Sequence, residues 1–152
     1  MAKNAEASDA ASGQRIFLID PDVVSRSALY YMIADANETF ELDSIEDLAD
    51  IGARLAPDIL IVSALLVAKH GKTLIKEWRT AWPQAGVLVI CEDSDTDCVM
   101  AAKTAGADDT LQRPFRRDVV LRKMARWAEP SPGTLEPKRL LQHKDNSLPV
   151  RL

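Results

Sequence analysis

Three short, uninterrupted apolar runs constrain the fold of this chain more than any other feature. They occupy residues 16–19, 59–62 and 87–90. A run that does not alternate with polar residues is typical of a strand covered on both faces, as in a parallel sheet. Weaker strands are predicted at 39–42 and 110–112, and apolar residues at helical spacing separate all five. This alternation predicts an α/β fold, with helices on both faces of a doubly wound, five-stranded parallel sheet.

Capping residues and helix breakers locate the helices between these strands. Asp22 and Ser44 are residue types that cap helix N-termini, and the helix after Ser44 is expected to reach about residue 55. Pro83 ends the helix that follows the third strand, and Gly106 ends the one that follows the fourth. A last helix follows the fifth strand. Residues 64–71, after the third strand, are expected to form a loop.

The two ends of the chain differ from its middle in composition. Residues 1–14 are small, polar and charged without periodicity, and we expect a mobile leader. Residues 15–128 carry the α/β pattern and form the predicted domain. Residues 129–152 hold four of the eight prolines and are expected to be a tail, disordered or packed on the domain. Such a tail is too short to be an independent output domain.

Charge and hydropathy exclude several classes of protein. The net charge of −4 argues against a protein that coats nucleic acid, which would be basic. No apolar run approaches the roughly 20 residues of a membrane span. The first 14 residues lack the apolar core of a secretory signal. We therefore expect a cytoplasmic protein that does not bind a membrane.

The two cysteines, Cys91 and Cys98, are too few for a disulfide framework or a four-ligand zinc site. In the cytoplasm they are expected to be reduced thiols, since disulfides are rare there. Cys91 ends the fourth strand and is expected to be a small buried residue. Whether it is redox-active stays open at this point.

The turn after the first strand excludes the phosphate-binding enzymes that share this architecture. Functional groups of such sheets collect at the carboxyl ends of the strands. Here that turn is Asp20, Pro21 and Asp22, which has no glycine, lacks one N–H and carries two carboxylates that would repel phosphate. Dinucleotide, flavin and P-loop sites need a glycine-rich turn whose backbone N–H groups can approach a phosphate closely. We expect no enzyme activity.

Four segments resemble, in the right order, the bacterial response-regulator receiver domain (CheY-like): residues 17–20, 57–63, 87–91 and 106–115. The last is the most specific, because it opens with Gly-Ala-Asp-Asp and ends with a basic residue, Pro114 and Phe115. The similarity covers roughly residues 15–128. It implies the sheet order 2-1-3-4-5 and a cis peptide bond before Pro114.

The resemblance also implies a site. In the family, an acidic pair after strand 1 and an aspartate ending strand 3 hold Mg²⁺, and that aspartate takes a phosphoryl group from a histidine kinase. A Thr or Ser ending strand 4 and a Lys ending strand 5 bind the phosphoryl group. In this sequence the corresponding positions are Asp20, Pro21, Ser63, Cys91 and Arg113, and the aromatic switch position is Thr110. The resemblance therefore implies a degenerate member that lacks the phosphoacceptor aspartate.

These substitutions alter the chemistry of the pocket. With Pro21 and Ser63 in place of carboxylates, Mg²⁺ binding is expected to be weak or absent, and no other metal or cofactor is expected. Ser63 lacks a neighbouring base to make it a nucleophile; its modification by a separate kinase stays open. Asp22 is the sixth residue assigned to this pocket; it could turn inward as a substitute ligand, but its favoured role is the helix cap. Arg113, without a phosphoryl partner, is predicted to pair with Asp20.

The last predicted helix is basic on an acidic protein: it carries Arg116, Arg117, Arg122, Lys123 and Arg126. In receivers, the face built from the family's fourth helix, fifth strand and fifth helix docks partners or a second receiver. We expect this helix to be part of a partner-binding face, with an acidic or phosphate-bearing partner, although a solvated helix face would show the same pattern.

The favoured hypothesis is an atypical receiver in two-component signalling that acts by protein–protein contact without phosphorylation of its own. The expected partners are a histidine kinase, another receiver or a regulator, with a homodimer through the same face as an alternative. One rival hypothesis is a phosphorelay regulator that still accepts phosphate through Asp20 or Asp22. Another is a regulator that binds nucleic acid through the basic last helix, which the net charge disfavours.

Overall fold

The structure, a computed structural model, describes residues 13–128 as five strands, six helices and a closing 3-10 turn. The strands are β1 (Arg15–Ile19), β2 (Glu38–Leu42), β3 (Ile59–Ser63), β4 (Gly86–Glu92) and β5 (Asp109–Arg113). The helices are α1 (Val23–Ile33), α2 (Ile45–Gly52), α3 (Ala64–His70), α4 (Leu74–Ala81), α5 (Thr96–Thr104) and α6 (Arg117–Met124), and the 3-10 turn is Ala125–Trp127. All five predicted strands are present, each within two residues of its predicted bounds.

The strands form one parallel sheet in the order β2-β1-β3-β4-β5, which confirms the predicted fold class and order. In this register Phe17 of β1 lies beside Phe40 of β2 and Leu60 of β3. Because all five strands run the same way, their carboxyl ends meet at one edge of the sheet. The chain reverses the direction of strand addition after β2, so β1 and β3 are neighbours at this edge.

Two apolar layers cover the sheet, and this explains the uninterrupted apolar runs. Successive side chains of a strand point to opposite faces. Phe17 and Leu60 therefore pack under α2 to α5, whereas Ile16 and Ile61 pack under α1 and α6. Each of these four side chains is fully buried. Burial of one such side chain contributes about 1.5–3 kcal/mol, so a polar residue on either face of these strands would be costly.

Both predicted helix caps are present. The Asp22 Oδ1 accepts a hydrogen bond from the Val24 N–H at 3.1 Å, and the Ser44 Oγ accepts one from the Asp47 N–H at 3.2 Å. The helix after Ser44 is shorter than predicted, since α2 ends at Gly52. The indole of Trp82 lies against the Cα of Gly52, where a Cβ would overlap the ring.

The loop predicted at residues 64–71 is wrong, because most of it forms α3. The Ser63 Oγ accepts a hydrogen bond from the Leu65 N–H at 3.1 Å and so caps the helix. Leu66 anchors the helix in the core, and Gly71, at φ 97°, ends it. The helix is only seven residues long, and tertiary burial of Leu66 supports it more than local pattern does.

The predicted leader and tail fall largely outside the described residues, since nothing is described for 1–12 and 129–152. Both assignments stay predictions. Gln14, which precedes β1, is buried, and its backbone N–H donates to Asn37 Oδ1 at 3.0 Å. Within residues 13–128, no helix has the length and apolar character needed to cross a membrane.

Candidate functional site

The carboxyl ends of four strands surround a cavity of about 520 Å³. The structure brings together in its wall all six residues predicted for the pocket: Asp20, Pro21, Asp22, Ser63, Cys91 and Arg113. Asp20 to Asp22 follow β1, Ser63 ends β3, Cys91 lies in β4 and Arg113 ends β5. The parallel sheet is therefore what converts six separated positions into one site.

Asp20 is the buried acid of the site, with 2% of its surface exposed. Its Oδ1 accepts a hydrogen bond from the Asp22 N–H at 2.9 Å. Burial raises the pKa of the Asp20 carboxyl above its usual 3.8, and this effect outweighs the opposing effects of the Asp22 N–H and the Arg113 guanidinium. Burial of Asp20 therefore weakens, relative to water, the preference of this carboxyl for its charged form, even with a cation beside it.

Arg113 spans the cavity and contacts three side chains. Its Nη2 lies 3.4 Å from Asp20 Oδ2, its Nη1 lies 2.5 Å from Glu92 Oε2, and its Nε donates to Ser25 Oγ at 2.6 Å. A third acid, Asp22, lies 4.0 Å away. The predicted pair with Asp20 is present. The guanidinium fork is thus already engaged by groups of the protein itself.

Glu92 and Ser25 were not identified from the sequence. Glu92 lies opposite Arg113 in the register of β4 and β5. Ser25 is in the first turn of α1, 88 positions from Arg113 in the chain. Neither proximity has a local sequence signal, because both depend on which strands are neighbours and how far each extends.

Asp22 has the role that its sequence context predicted. Besides capping α1 through Oδ1, it accepts a hydrogen bond from the Ser25 Oγ at 3.0 Å through Oδ2. The Ser25 hydroxyl is the main cause of a lowered pKa for the Asp22 carboxyl, and the Val24 and Ser25 N–H groups add to it. Both carboxylate oxygens are therefore committed to the start of α1.

Ser63 and Pro21 complete the acidic end of the cavity without adding a carboxylate. Ser63 is 5% exposed, and its hydroxyl oxygen is the cap of α3. Pro21 is exposed and has no N–H to donate. Asp20 is thus the one buried carboxylate in this cavity wall, and its Oδ2 is already beside a guanidinium.

The expectation of two reduced thiols is wrong in the structure, where Cys91 and Cys98 form a disulfide. Their Cα atoms are 6.0 Å apart, a usual separation for a disulfide. The physical reason is the short loop between β4 and α5, which folds the first turn of α5 back beside the end of β4. Cys91 is buried as predicted, with 1% exposed, and lies under the first turn of that helix.

The remaining predicted positions lie along β5 and just beyond it. Thr110 is buried and lies opposite Val89 of β4. The Arg113–Pro114 peptide bond is cis, as the resemblance implied. Thr110 lies within the strand whose last residue is Arg113 and has its side chain in the packed interior, whereas Pro114 follows that strand directly.

The basic residues of α6 differ in how far the protein itself uses them. Lys123 donates to the Thr110 carbonyl at 2.6 Å and lies 3.3 Å from Asp109. Two others also have contacts: Arg116 with Asp118, and Arg126 with the ring of Trp127 and the Asp108 carbonyl. Arg117 and Arg122 are exposed and form no ion pair within residues 13–128. These two form the least neutralised part of the helix.

Comparison with known proteins gives a consistent picture. The family model of the response regulator receiver domain matches residues 16–125. The transcriptional regulatory protein PhoP of Escherichia coli (strain K12) is 28% identical over 113 residues, which cover 72% of this chain and 50% of that protein. The chain therefore spans about half the length of the curated relatives it matches.

Solved structures show the same fold. A putative response regulator from Chloroflexus aurantiacus superposes with a TM-score of 0.68 at 24% identity, covering 76% of this chain and 98% of the other. The receiver domain of a Saccharomyces cerevisiae response regulator, solved with a histidine phosphotransfer signaling protein, has a TM-score of 0.65 at 9% identity, covering 77% of this chain and 90% of the other. At such identities the structural likeness shows the fold alone.

Proposed function

This chain belongs to the response regulator receiver domain family, and from that premise we propose that it is a degenerate receiver, which signals by binding a protein and is not itself phosphorylated. Receiver domains act in two-component signal transduction. Because the chain spans half the length of its curated relatives, the activity of the whole protein is part of the proposal. We propose binding rather than catalysis as its mode of action.

The single observation that carries the proposal is the engagement of Arg113. In a receiver, the cation at the end of the fifth strand has to be available for a phosphoryl group. Here its guanidinium contacts Asp20, Glu92 and Ser25 at 3.4, 2.5 and 2.6 Å. A phosphoryl group would have to compete with these charge-assisted contacts for the guanidinium.

The nucleophile of the family is also replaced. The residue at the end of β3 is Ser63, a neutral alcohol whose oxygen accepts the Leu65 N–H. A serine needs a base to attack phosphorus, and no His, Asp or Glu side chain is hydrogen-bonded to this hydroxyl in the described part of the chain. These contacts therefore support a structural role for Ser63, as the cap of α3.

The donor set does not fit Mg²⁺. This ion needs near-octahedral oxygen ligands and is usually bound through one or two carboxylates and waters. In this pocket Asp22 uses both oxygens in the α1 cap, and Asp20 faces a guanidinium. Pro21 offers no side-chain ligand. We therefore propose that Mg²⁺ binds weakly or not at all, and we derive no phosphoryl transfer through it.

The partner is proposed to dock on the basic side of the domain. In this structure the family's third helix position is filled by α3 and α4, so the face formed in relatives by helix 4, strand 5 and helix 5 corresponds to α5, β5 and α6. Arg117 and Arg122 are exposed there. A yeast receiver has been solved with a histidine phosphotransfer protein, and a signalling protein with an acidic surface is the partner class we propose here.

The test is phosphorylation of the 152-residue chain by acetyl phosphate with Mg²⁺, followed by intact mass spectrometry and amide NMR. We expect no added phosphoryl mass and no shift of the Asp20 and Arg113 resonances. The control is the double variant P21D/S63D, which restores the two missing carboxylates. Aspartate is also a good N-cap, so the substitution at Ser63 leaves α3 capped. We expect this variant to bind Mg²⁺ and gain phosphoryl mass.

Phosphorylation of the unmodified chain, abolished by D20N or D22N, would establish the phosphorelay hypothesis and overturn this one. A phosphoryl group located on Ser63 would also overturn our proposal, without supporting a phosphorelay through Asp20 or Asp22. The structure lends the phosphorelay hypothesis no specific support, since Asp20 is paired and Asp22 caps a helix.

A further inference from the structure

The disulfide joins two places with different chemical surroundings. Cys91 is in the core at the end of β4, with 1% of its surface exposed, whereas Cys98 is in the first turn of α5 and partly exposed. The sequence has two cysteines, so within this chain each has a single possible partner. Their Cα separation of 6.0 Å permits a bridge without movement of the backbone.

Cys98 lies on the wall between two cavities. One is the 520 Å³ cavity that contains Asp20 and Arg113. The other is an apolar groove of about 320 Å³ between α3 and α5, and its floor includes Val67, Val89 and Ala102. A change in the position of Cys98 therefore alters both cavities at once.

Glu92, the exposed acid that pairs with Arg113, lies between the two cysteines in the sequence. Glu92 follows Cys91 directly and lies 2.5 Å from the Arg113 Nη1. The bridge closes the short loop that starts with Glu92 and ends at Cys98, with a sequence separation of seven between the two cysteines. The conformational freedom of Glu92 thus depends on whether the two sulfurs are joined.

From this geometry we propose that Cys91 and Cys98 form a reversible dithiol–disulfide couple, whose redox state sets the position of the first turn of α5 against β4. Oxidation fixes the wall between the two cavities and the loop that carries Glu92. Reduction allows the first turn of α5 to shift and loosens the contact between Glu92 and Arg113. The inference does not rest on the absence of phosphorylation, because it needs only the two sulfurs and their neighbours.

The oxidant is proposed to be a small-molecule disulfide such as oxidised glutathione. The Cys98 thiolate, which solvent reaches, attacks one sulfur of that disulfide and releases one glutathione thiolate. The Cys91 thiolate then attacks the Cys98 sulfur of the mixed disulfide and expels the second glutathione thiolate. Two protein thiols lose two electrons and two protons, and one oxidised glutathione becomes two reduced molecules.

Reduction is expected to change the site without unfolding α5. The Asp95 Oδ1 accepts a hydrogen bond from the Cys98 N–H at 3.0 Å, a backbone cap that involves neither sulfur atom. Farther along the helix, Ala102 is buried in the core. The response is therefore confined to the start of the helix and the loop before it.

The experiment equilibrates the full-length chain in glutathione buffers of stepped ratio, traps thiols by alkylation, and reads intact mass and amide NMR on the same samples. We expect both thiols to disappear together in a monomer and to return with dithiothreitol. We also expect shifts at Glu92 and the Arg113 Nε–H. A cross-link between chains, thiols that stay alkylatable at every ratio, or oxidation with no shift at Glu92 and Arg113 would each overturn the proposal.

The matched controls are C98S and C98A, at the partly exposed position, and C91A in the core. With C98S or C98A, the Glu92 and Arg113 resonances should not respond to the glutathione ratio, because Cys91 has no partner. A response that persists in a folded Cys98 variant contradicts the coupling. C91A separates the formation of the mixed disulfide from its resolution. In this variant the reaction should stop at a glutathione adduct on Cys98, because the second thiol is missing.

Discussion

The guanidinium of Arg113 lies 3.4 Å from the buried carboxylate of Asp20, and the same guanidinium reaches Glu92 at 2.5 Å on the side that faces solvent. These contacts join the end of β5 to the ends of β1 and β4. In a receiver fold this is the place where a phosphoryl group is bound, and here acids of the protein itself are in contact with the cation. The pairing places this arginine beside a cavity in whose wall Asp20 is the buried carboxylate.

Replacing Asp20 with asparagine should raise stability at neutral pH. The pKa of Asp20 is raised in the folded state, so the folded protein holds this proton more tightly than the unfolded chain does. The free energy of unfolding therefore falls as pH rises from about 3.8 through the folded pKa. We expect D20N to gain stability at pH 7 and to show no gain at pH values below 3.8, measured by urea denaturation.

D22N is the control, because its effect on stability at pH 7 should be opposite in sign to that of D20N. The pKa of Asp22 is lowered in the folded state, so its contribution to stability is present above pH 3.8 and is lost as pH falls through the folded pKa. D22N should therefore lower the unfolding midpoint at pH 7 and converge with the parent protein in acid. If D20N lowers stability at pH 7, the Arg113 contact outweighs burial and our interpretation of Asp20 is wrong.

Ser63 should matter for stability through the cap of α3. S63A removes the oxygen that accepts the Leu65 N–H, and an N-cap is worth about 1 kcal/mol. S63D should keep most of that stability, because aspartate caps as well as serine does. The measurement is chemical denaturation of the three proteins, with hydrogen exchange at Leu65 and Leu66 to locate the effect. Equal stability of S63A and the parent would show that the cap is dispensable.

Reversing the charges of Arg117 and Arg122 should weaken partner binding without altering the fold. Both side chains are exposed and lie at opposite ends of α6, so their effects on the helix dipole oppose each other. We expect R117E/R122E to change the unfolding free energy by no more than about 0.5 kcal/mol. In pull-downs read by quantitative mass spectrometry, signalling proteins captured by the parent chain should be lost.

The control for that experiment is R54E/K76E, which makes the same change in net charge. Arg54 and Lys76 are exposed residues near α2 and on α4, away from α6. This variant should keep the partners. Equal loss in both variants would mean that overall charge, rather than the α6 face, controls binding; sedimentation of the parent and R117E/R122E tests the homodimer alternative.

Gly86 should tolerate no side chain, because the indole of Trp127 covers it. A Cβ at Gly86 would overlap the ring. G86A should therefore cost about 1–3 kcal/mol, the usual range for overpacking. In the W127A background the same substitution should cost much less, and a double-mutant cycle measures the difference. Equal costs in both backgrounds would show that Trp127 does not pack on the sheet as described.

Much of the fold could be predicted because it follows from local periodicity. The apolar runs identified the strands, and Asp22 and Ser44 marked the starts of two helices. The order of the strands came from a family resemblance, since periodicity alone does not say which strands are neighbours. The prediction failed at α3, where Ser63 was assigned as a strand end and its second role, as a helix cap, has no separate signal in the sequence.

The candidate site, like the fold, could be predicted from the sequence only in part. The sequence by itself determined which residues end the strands, and therefore that Asp20, Ser63, Cys91 and Arg113 share one edge of the sheet. Tertiary structure alone decided that Arg113 reaches Glu92 and Ser25, and that Cys91 meets Cys98. The reason is physical: side-chain identity and period are local properties of the chain, whereas these contacts depend on strand register and on how a helix packs back against a strand.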